Sequence, residues 1–219
     1  KDSDHQKYAI GIKELWEVKE ENHEEGLVEH SMGWPLSEGT GGGSFLYHFG
    51  QNLVSIGYVV HLNYTNPYVS PFDEFQQFKT HPSIKKILEG GKRISYGARA
   101  ITAGGFQSVP KLFFPGGALI GCSAGFLNYP KIKGTHNAME SGILAAESII
   151  ENFLSENQNN DLLNYQEKYE SSRIAKELKK VRNVKPFQSR YGVFLGTILS
   201  GIDMWLNTFG ITLPFTLSH

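Results

Sequence analysis

The sequence predicts an α/β (α+β) chain with a substantial antiparallel sheet, and three observations carry that reading. From Tyr8 to Ala98, short segments of alternating apolar and polar residues are separated by turns of a few residues. From Gly116 to Ser148 the chain reads GGALIGCSAGFLNYPKIKGTHNAMESGILAAES: a short buried strand (Ala118 to Ile120), a tight glycine turn, a loop with a proline, and a long helix of small residues. From Leu162 onward, apolar residues recur at helical spacing.

Composition narrows the function classes. The chain has 219 residues, a formal net charge of −1 and 40% hydrophobic residues. That is enough chain to bury a real core, and the charge balance gives no sign of a nucleic-acid partner. Cys122 is the single cysteine. It cannot form a disulfide within the chain or supply a four-cysteine zinc or iron–sulfur site here. No stretch reaches the roughly 20 apolar residues needed to span a bilayer. The chain begins at Lys1 in polar sequence and enters strand-like sequence at once, which reads as a fragment of a longer protein or a processed chain.

Taken in order, Tyr8 to Val18 reads as a strand with a bulge near Glu14. Lys19 to Gly26 is a charged turn. Leu27 to Trp34 is a second strand ended by Pro35. Ser37 to Gly43 is glycine-rich. Ser44 to Phe49 and Leu53 to Asn63 complete a meander. Pro71 opens a helix carrying Phe72, Phe75 and Phe78. A second short helix begins at His81-Pro82-Ser83 and is closed by Gly90-Gly91. Lys92 to Ala98 is a further strand. Glu156 to Asn160 is a polar linker, and Leu162 to Val181 reads as a solvated surface helix pair. No internal repeat or low-complexity segment stands out.

Three stretches are candidates for function. The first is the strand–Gly121-Cys122–loop–helix unit. The helix starts at Gly134-Thr135, and a helix N-terminus offers unpaired N–H groups and partial positive charge to an electron-rich ligand atom. A tight strand-to-helix junction in a packed core would give the same pattern. The second is Gly39 to Ser44 (GTGGGS). It lacks GxGxxG spacing and precedes a strand, so by composition it is a flexible hairpin turn. The third is the helix Tyr191 to Phe209. Phe194, Leu195, Ile198, Leu199, Ile202 and Trp205 share one side, while Gly196, Ser200, Asp203 and Asn207 share the other. It is either a core-facing helix or one lying in a membrane interface, with Lys179, Lys180, Arg182, Lys185 and Arg190 at the headgroups. His48, His61, His81 and His136 are dispersed without metal-ligand spacing. Cys122 reads as a small packed residue. No Gly-x-Ser-x-Gly elbow occurs, and no side chain is singled out as a catalytic acid, base or nucleophile.

The run LIGCSAGFLNYPKIKGTHNAMESGILAAE resembles the second flavin-contact motif of flavoproteins with the p-hydroxybenzoate-hydroxylase fold. Most of those have Gly-Asp where this chain has Gly121-Cys122. With YGARAITAGGFQSVPKLFFPGG before it, and GIKELW and GGSFLYHF upstream, the chain closely resembles the electron-transfer flavoprotein:ubiquinone oxidoreductase family. The resemblance runs from about Ile10 to the C-terminus. It implies a monotopic membrane enzyme of the mitochondrial inner or bacterial cytoplasmic membrane, with FAD and a 4Fe–4S cluster. Electrons would enter from the electron-transfer flavoprotein and leave to ubiquinone.

By position, the resemblance implies that Gly121, Cys122 and Ser123 line the ribityl and pyrophosphate side of FAD. Gly134, Thr135, His136 and Asn137 would face the isoalloxazine N1/O2 edge, with the Asn137 side-chain amide as a donor. Gly42 and Gly43 would meet the quinone through backbone N–H. The family's N-terminal GxGxxG unit and its cluster cysteines do not occur in this sequence. The implied organisation is part of an FAD domain (1–26 and 101–155), an inserted antiparallel-sheet ubiquinone-binding domain (27–100), and C-terminal helices (156–219) with a membrane-surface helix at 191–209. A flavin-dependent isoprenoid reductase, an aromatic hydroxylase and a non-enzymatic membrane-associated module are the rival readings.

Overall fold

Strand Leu53–His61 (β4) is a central strand of one compact unit of the chain, Tyr8–Ile101. A computed structural model describes residues 3–155 and 162–218, so the expected linker at 156–160 lies outside the described residues. Val54, Ile56, Tyr58 and Val60 of β4 are buried, as a period of two requires when one face of a strand meets a core. Burying a Val- or Ile-sized side chain contributes about 1.5–3 kcal/mol.

Strand Tyr8–Glu17 (β1) pairs antiparallel with β4 in unbroken register from Ala9↔His61 to Glu17↔Leu53. The expected bulge near Glu14 does not form. On the other side of β4 lies Gly42–Phe49 (β3), and outside it Val28–Met32 (β2). Strand Lys92–Thr102 (β5) is longer than the sequence suggests and closes the five-stranded order β2-β3-β4-β1-β5. The sheet is therefore not a plain meander, because β1 stands between β4 and β5. In the structure β1, on the other side of the expected limit between residues 26 and 27, belongs to the same sheet as β2 to β5.

One face of this sheet is covered by helices Pro71–Phe78 (α1) and Pro82–Leu88 (α2). Ser70 caps α1 by accepting from the Asp73 N–H, with Pro71 in the first turn. Phe75, Phe78, Ile84 and Leu88 pack onto Leu46, Val54, Ile56 and Val60. Glu14 of β1 is also buried there, at 3% exposure. Lys79 Nζ donates to both its oxygens (3.0 and 2.8 Å), Arg93 donates to Oε1 (3.0 Å) and Trp16 Nε1 to Oε2 (2.8 Å).

The second unit comprises residues 3–7 and 102–218. A two-residue pair, Phe113–Phe114 (β6) and Gly117–Ala118 (β7), replaces the expected strand Ala118 to Ile120. Next comes one helical turn, Gly121–Ala124 (α3), where a glycine turn is expected. Thr135–Leu154 (α4) follows as predicted, with Gly134 as its N-cap residue. Helices Leu163–Ser171 (α5) and Arg173–Lys180 (α6) are not a solvated pair. Their Tyr165, Tyr169, Ile174, Ala175 and Leu178 form a core with Leu112, Phe126 and Ala145.

The last helix, Val184–Thr208 (α7), is broken at Gly192, whose φ of 76° lies outside helical space. Its second arm folds back along the first. Ser200 Oγ donates to the Val184 carbonyl (3.2 Å), and a Cβ on Gly196 would collide with Phe187 and Gln188 backbone. The small and polar residues Gly196, Ser200 and Asp203 are thus the buried side of this arm. Phe194, Leu195, Ile198, Ile202 and Trp205 are exposed and Leu199 is half-buried. The core-facing alternative for this apolar face is not what forms, because two helical arms can approach closely only across small side chains.

Replacing Glu14 with Gln leaves the largely enclosed Lys79 ammonium without its carboxylate. The expected loss is about 3–5 kcal/mol at pH 7 in urea unfolding of the whole chain. Burial alone raises the Glu14 carboxyl, but donors from Lys79, Trp16 and Arg93 outweigh it and hold it below the usual carboxylate range. A carboxyl depressed by folding stabilises above its unfolded pKa and loses that effect as pH falls through its folded value. Wild type and E14Q are therefore expected to converge in stability at pH well below about 4, where the same unfolding measurement checks it.

Candidate functional site

In the sheet unit, Gly42 and Gly43 are not a flexible turn but the first two residues of β3. Gly43 pairs with both Met32 and Val59, whereas Gly42 pairs with Val60 alone because β2 ends at Met32. A Cβ on Gly42 would collide with the Val59 carbonyl oxygen and Leu36, and one on Gly43 with the Ser31 carbonyl oxygen. The neighbouring strands themselves demand glycine here. The edge of β3 beyond Gly43 is left without a β2 partner.

In the other unit, the residues around α3 and the N-terminus of α4 come together as expected, though several have different tasks. Gly121 sits at φ 55° and is buried. Its N–H donates to Ser141 Oγ (3.0 Å), whose hydroxyl donates to the Ala138 carbonyl (2.9 Å). That N–H therefore ties α3 to α4. The Cys122 carbonyl accepts from Thr102 Oγ1 (2.8 Å), with the Cys122 sulfur 3.4 Å from the same hydroxyl. Cys122 is half-buried and Ser123 exposed.

Asn137 is completely buried. Its amide nitrogen donates to the Phe126 carbonyl (2.9 Å), and its Oδ1 is a buried atom without a partner among the described residues. One N–H of the amide expected to face a ligand thus holds the loop after α3. His136 is turned to Glu177 of α6, with Nε2 3.0 Å from Oε1. What the helix end keeps for a ligand is backbone. Gly134 gives no side-chain cap, so no N-cap side chain accepts from the first-turn N–H groups of Thr135, His136 and Asn137. A twenty-residue helix places partial positive charge there. This fits an electron-rich ligand atom, such as a flavin ring oxygen, through peptide groups.

Sequence reasoning missed Glu177. Its Oε1 accepts from Asn128 Nδ2 (2.6 Å), His136 Nε2 and Lys131 Nζ (3.2 Å). Burial raises its carboxyl, but the bonds from His136, Asn128 and Lys131 outweigh that and hold it below the usual range. In the sequence it is one charge in a charged helical run, and no local signal separates it from its neighbours.

Several of the basic residues preceding Tyr191 also have other roles than headgroup contact. Lys185 is buried beside the Tyr129 ring (5.3 Å), where desolvation, and then the charge of Lys7, lower its ammonium to about 8. Arg182 donates to the carbonyls of Lys179, Leu213 and Phe215, and Arg190 to Ser218. Of the expected five, Lys179 and Lys180 remain exposed lysines. Among the described residues no helix is long and apolar enough to cross a membrane, and no cluster of His, Cys, Asp and Glu could hold a metal ion.

Residues 8–101 match the family described as ETF-QO, ubiquinone-binding. The chain is 55% identical to the mitochondrial electron transfer flavoprotein-ubiquinone oxidoreductase of Caenorhabditis elegans, over 97% of this chain and 36% of that protein. It is 54% identical to the human protein of the same name, over 98% of this chain and 36% of that one. The chain thus spans about a third of the length of these curated relatives, and the family resemblance drawn from the sequence is borne out. Among solved structures, a geranylgeranyl bacteriochlorophyll reductase-like protein from Thermoplasma acidophilum superposes with a TM-score of 0.63 at 16% identity, over 93% of this chain and 48% of that one. The flavin-dependent brominase Bmp2 gives 0.58 at 15%, over 93% and 50%. The shared fold is the α/β arrangement of p-hydroxybenzoate-hydroxylase type expected from the sequence.

Two substitutions test this geometry. Gly121→Ala forces a left-handed residue with a Cβ 3.0 Å from that of Ala138 and should cost about 1–2 kcal/mol. Asn137→Ala removes the donor to the buried Phe126 carbonyl and should cost about 1–3 kcal/mol. Urea unfolding of the whole chain checks both.

Proposed function

We propose that this chain is the ubiquinone-binding and flavin-contacting portion of an electron-transfer flavoprotein:ubiquinone oxidoreductase. The observation that carries the reading is the match of residues 8–101 to the ubiquinone-binding family within a chain that is 55% identical throughout to such an enzyme. FAD, when bound, would accept electrons from reduced electron-transfer flavoprotein and release them to membrane ubiquinone. The full-length protein would also hold a 4Fe–4S cluster, whose cysteine ligands cannot come from this chain because Cys122 is its only cysteine. The rival readings, an isoprenoid reductase or an aromatic hydroxylase, rest on the shared fold alone.

The chain's own residues would bind and orient. Thr135, His136 and Asn137 would present backbone N–H groups to the flavin N1/O2 edge, with Gly134 leaving the approach clear of a side chain. Charge accumulating on that edge would be stabilised by fixed donors that need no reorganisation. Gly121, Cys122 and Ser123 would line the ribityl and pyrophosphate side. At the other site, Gly42 and Gly43 would bring β3 backbone close to a quinone oxygen, where the β2 ladder has ended. The enzyme would be peripheral to its membrane, the mitochondrial inner or bacterial cytoplasmic membrane, and relatives named mitochondrial support the first. Its contact would be the outward apolar side of the second α7 arm: Phe194, Leu195, Ile198, Leu199, Ile202 and Trp205. A helix with its small residues turned inward and aromatic residues outward suits the headgroup boundary.

Two outcomes are expected. Full-length protein should carry flavin absorbance and reduce a short-chain ubiquinone analogue when supplied with reduced electron-transfer flavoprotein; a flavin-free protein, or one inert toward the quinone, would refute the assignment. Phe194→Glu with Leu195→Glu should leave thermal stability nearly unchanged, since both side chains are exposed. The same pair should weaken partitioning onto anionic liposomes at least tenfold in a flotation assay. Unchanged partitioning would refute the membrane face.

A further inference from the structure

The charged cluster beside the α4 N-terminus goes beyond what the family match assigns. One oxygen, Glu177 Oε1, accepts from three groups that bracket the loop leading into α4: Asn128 Nδ2 at 2.6 Å, Lys131 Nζ at 3.2 Å and His136 Nε2 at 3.0 Å. The geometry fixes the hydrogens. An ionised carboxylate only accepts, so Nε2 of His136 carries its proton toward Glu177. Asn128 is likewise set, because its Oδ1 accepts from the Lys131 N–H (3.2 Å) while its amide faces the carboxylate. Asn128 is 1% exposed, and its backbone bridges Lys133 across the loop. The same α4–α6 seam holds a second ion pair, Arg173–Glu140 at 3.0 Å. Glu177 is therefore the point at which α6 grips residues 128–136.

We propose that Glu177 is a positioning residue for the flavin-facing end of α4. It acts through His136, holding one imidazole tautomer and setting the loop so that Gly134 and the first-turn N–H groups are presented to the cofactor. This rests on the flavin reading of the helix end given above. It has an electrostatic consequence. The carboxylate offsets part of the positive potential contributed there by the helix dipole and Lys131. Removing its charge while keeping its shape should favour the reduced, electron-rich flavin.

The test compares full-length wild type with Glu177→Gln and Glu177→Ala. In wild type, ¹⁵N NMR of selectively labelled histidine should show His136 as the Nε2–H form, and E177A should lose that fixed signature. This readout does not need flavin. In flavin-loaded protein, E177Q should bind reduced over oxidised flavin about tenfold more favourably, a rise of about 30 mV in the two-electron midpoint potential. Its circular dichroism should match wild type. A residue that merely supports the fold would change stability in E177A but leave the E177Q potential and the His136 tautomer alone, and that result would overturn the proposal. If wild type binds no flavin, the flavin reading itself is overturned, and the positioning role toward flavin falls with it. A flavin-loaded wild type with an unmoved E177Q potential overturns the positioning role alone.

Discussion

The sheet unit depends on one buried carboxylate. Glu14 lies in the middle of β1, and an ion held away from water costs several kcal/mol unless it is paired and hydrogen-bonded. Three donors meet that requirement from three directions. Lys79 arrives from the end of α1, Arg93 from β5 and Trp16 from two residues along the same strand. The Lys79 ammonium also lies over the rings of Trp16 and Phe75, at 5.7 and 4.9 Å. The charge thereby fixes which helix covers the sheet and brings β5 to the same side chain. With α1 so held, Phe75 and Phe78 can seal the face of β4 whose valines and isoleucine form the core.

The helical unit is governed by a different constraint, the close approach of backbone to backbone. Gly121 against Ala138, and Gly196 against the Phe187–Gln188 backbone, are places where a side chain would push two helical segments apart. At both, a serine hydroxyl donates to a nearby carbonyl: Ser141 to Ala138 and Ser200 to Gly196, the latter at 2.6 Å. In α7 this inverts the usual order. The polar stripe is inside and the apolar stripe outside, because the inner neighbour is another helical arm at short range. An apolar surface so produced is available for a lipid boundary without loss of internal packing.

Much of the fold was legible in the residues. The alternation of β1, β3 and β4 is a period-two pattern that a one-sided sheet imposes. Pro71 and Pro82 mark helix starts because each supplies a fixed φ and lacks an N–H that the first turn would leave unused. Gly134 and the small residues after it announce α4. The flavin-contact and quinone-contact candidates came from residue words that no periodicity contains. Less legible was anything depending on a distant partner. Tyr165, Tyr169 and Ile174 sit in a charged run that looks solvated, yet they complete the core around Phe126. Arg182 and Lys185 look like a basic patch, yet one ties down carbonyls from 213 to 215 and the other is buried against Tyr129.

The sequence by itself determined most of the strands and helices and the glycine start of α4, because propensity and turn chemistry act locally. Only the tertiary structure decided where β1 stands in the sheet. It also decided that Gly42 and Gly43 are strand and not turn, that Asn137 spends its amide on Phe126, and that Glu177 gathers the loop before α4. Each of these is a choice of partner across tens of residues. A side chain's partner is set by packing and by the need to satisfy buried charge and polar groups, and those demands exist only once the chain is folded.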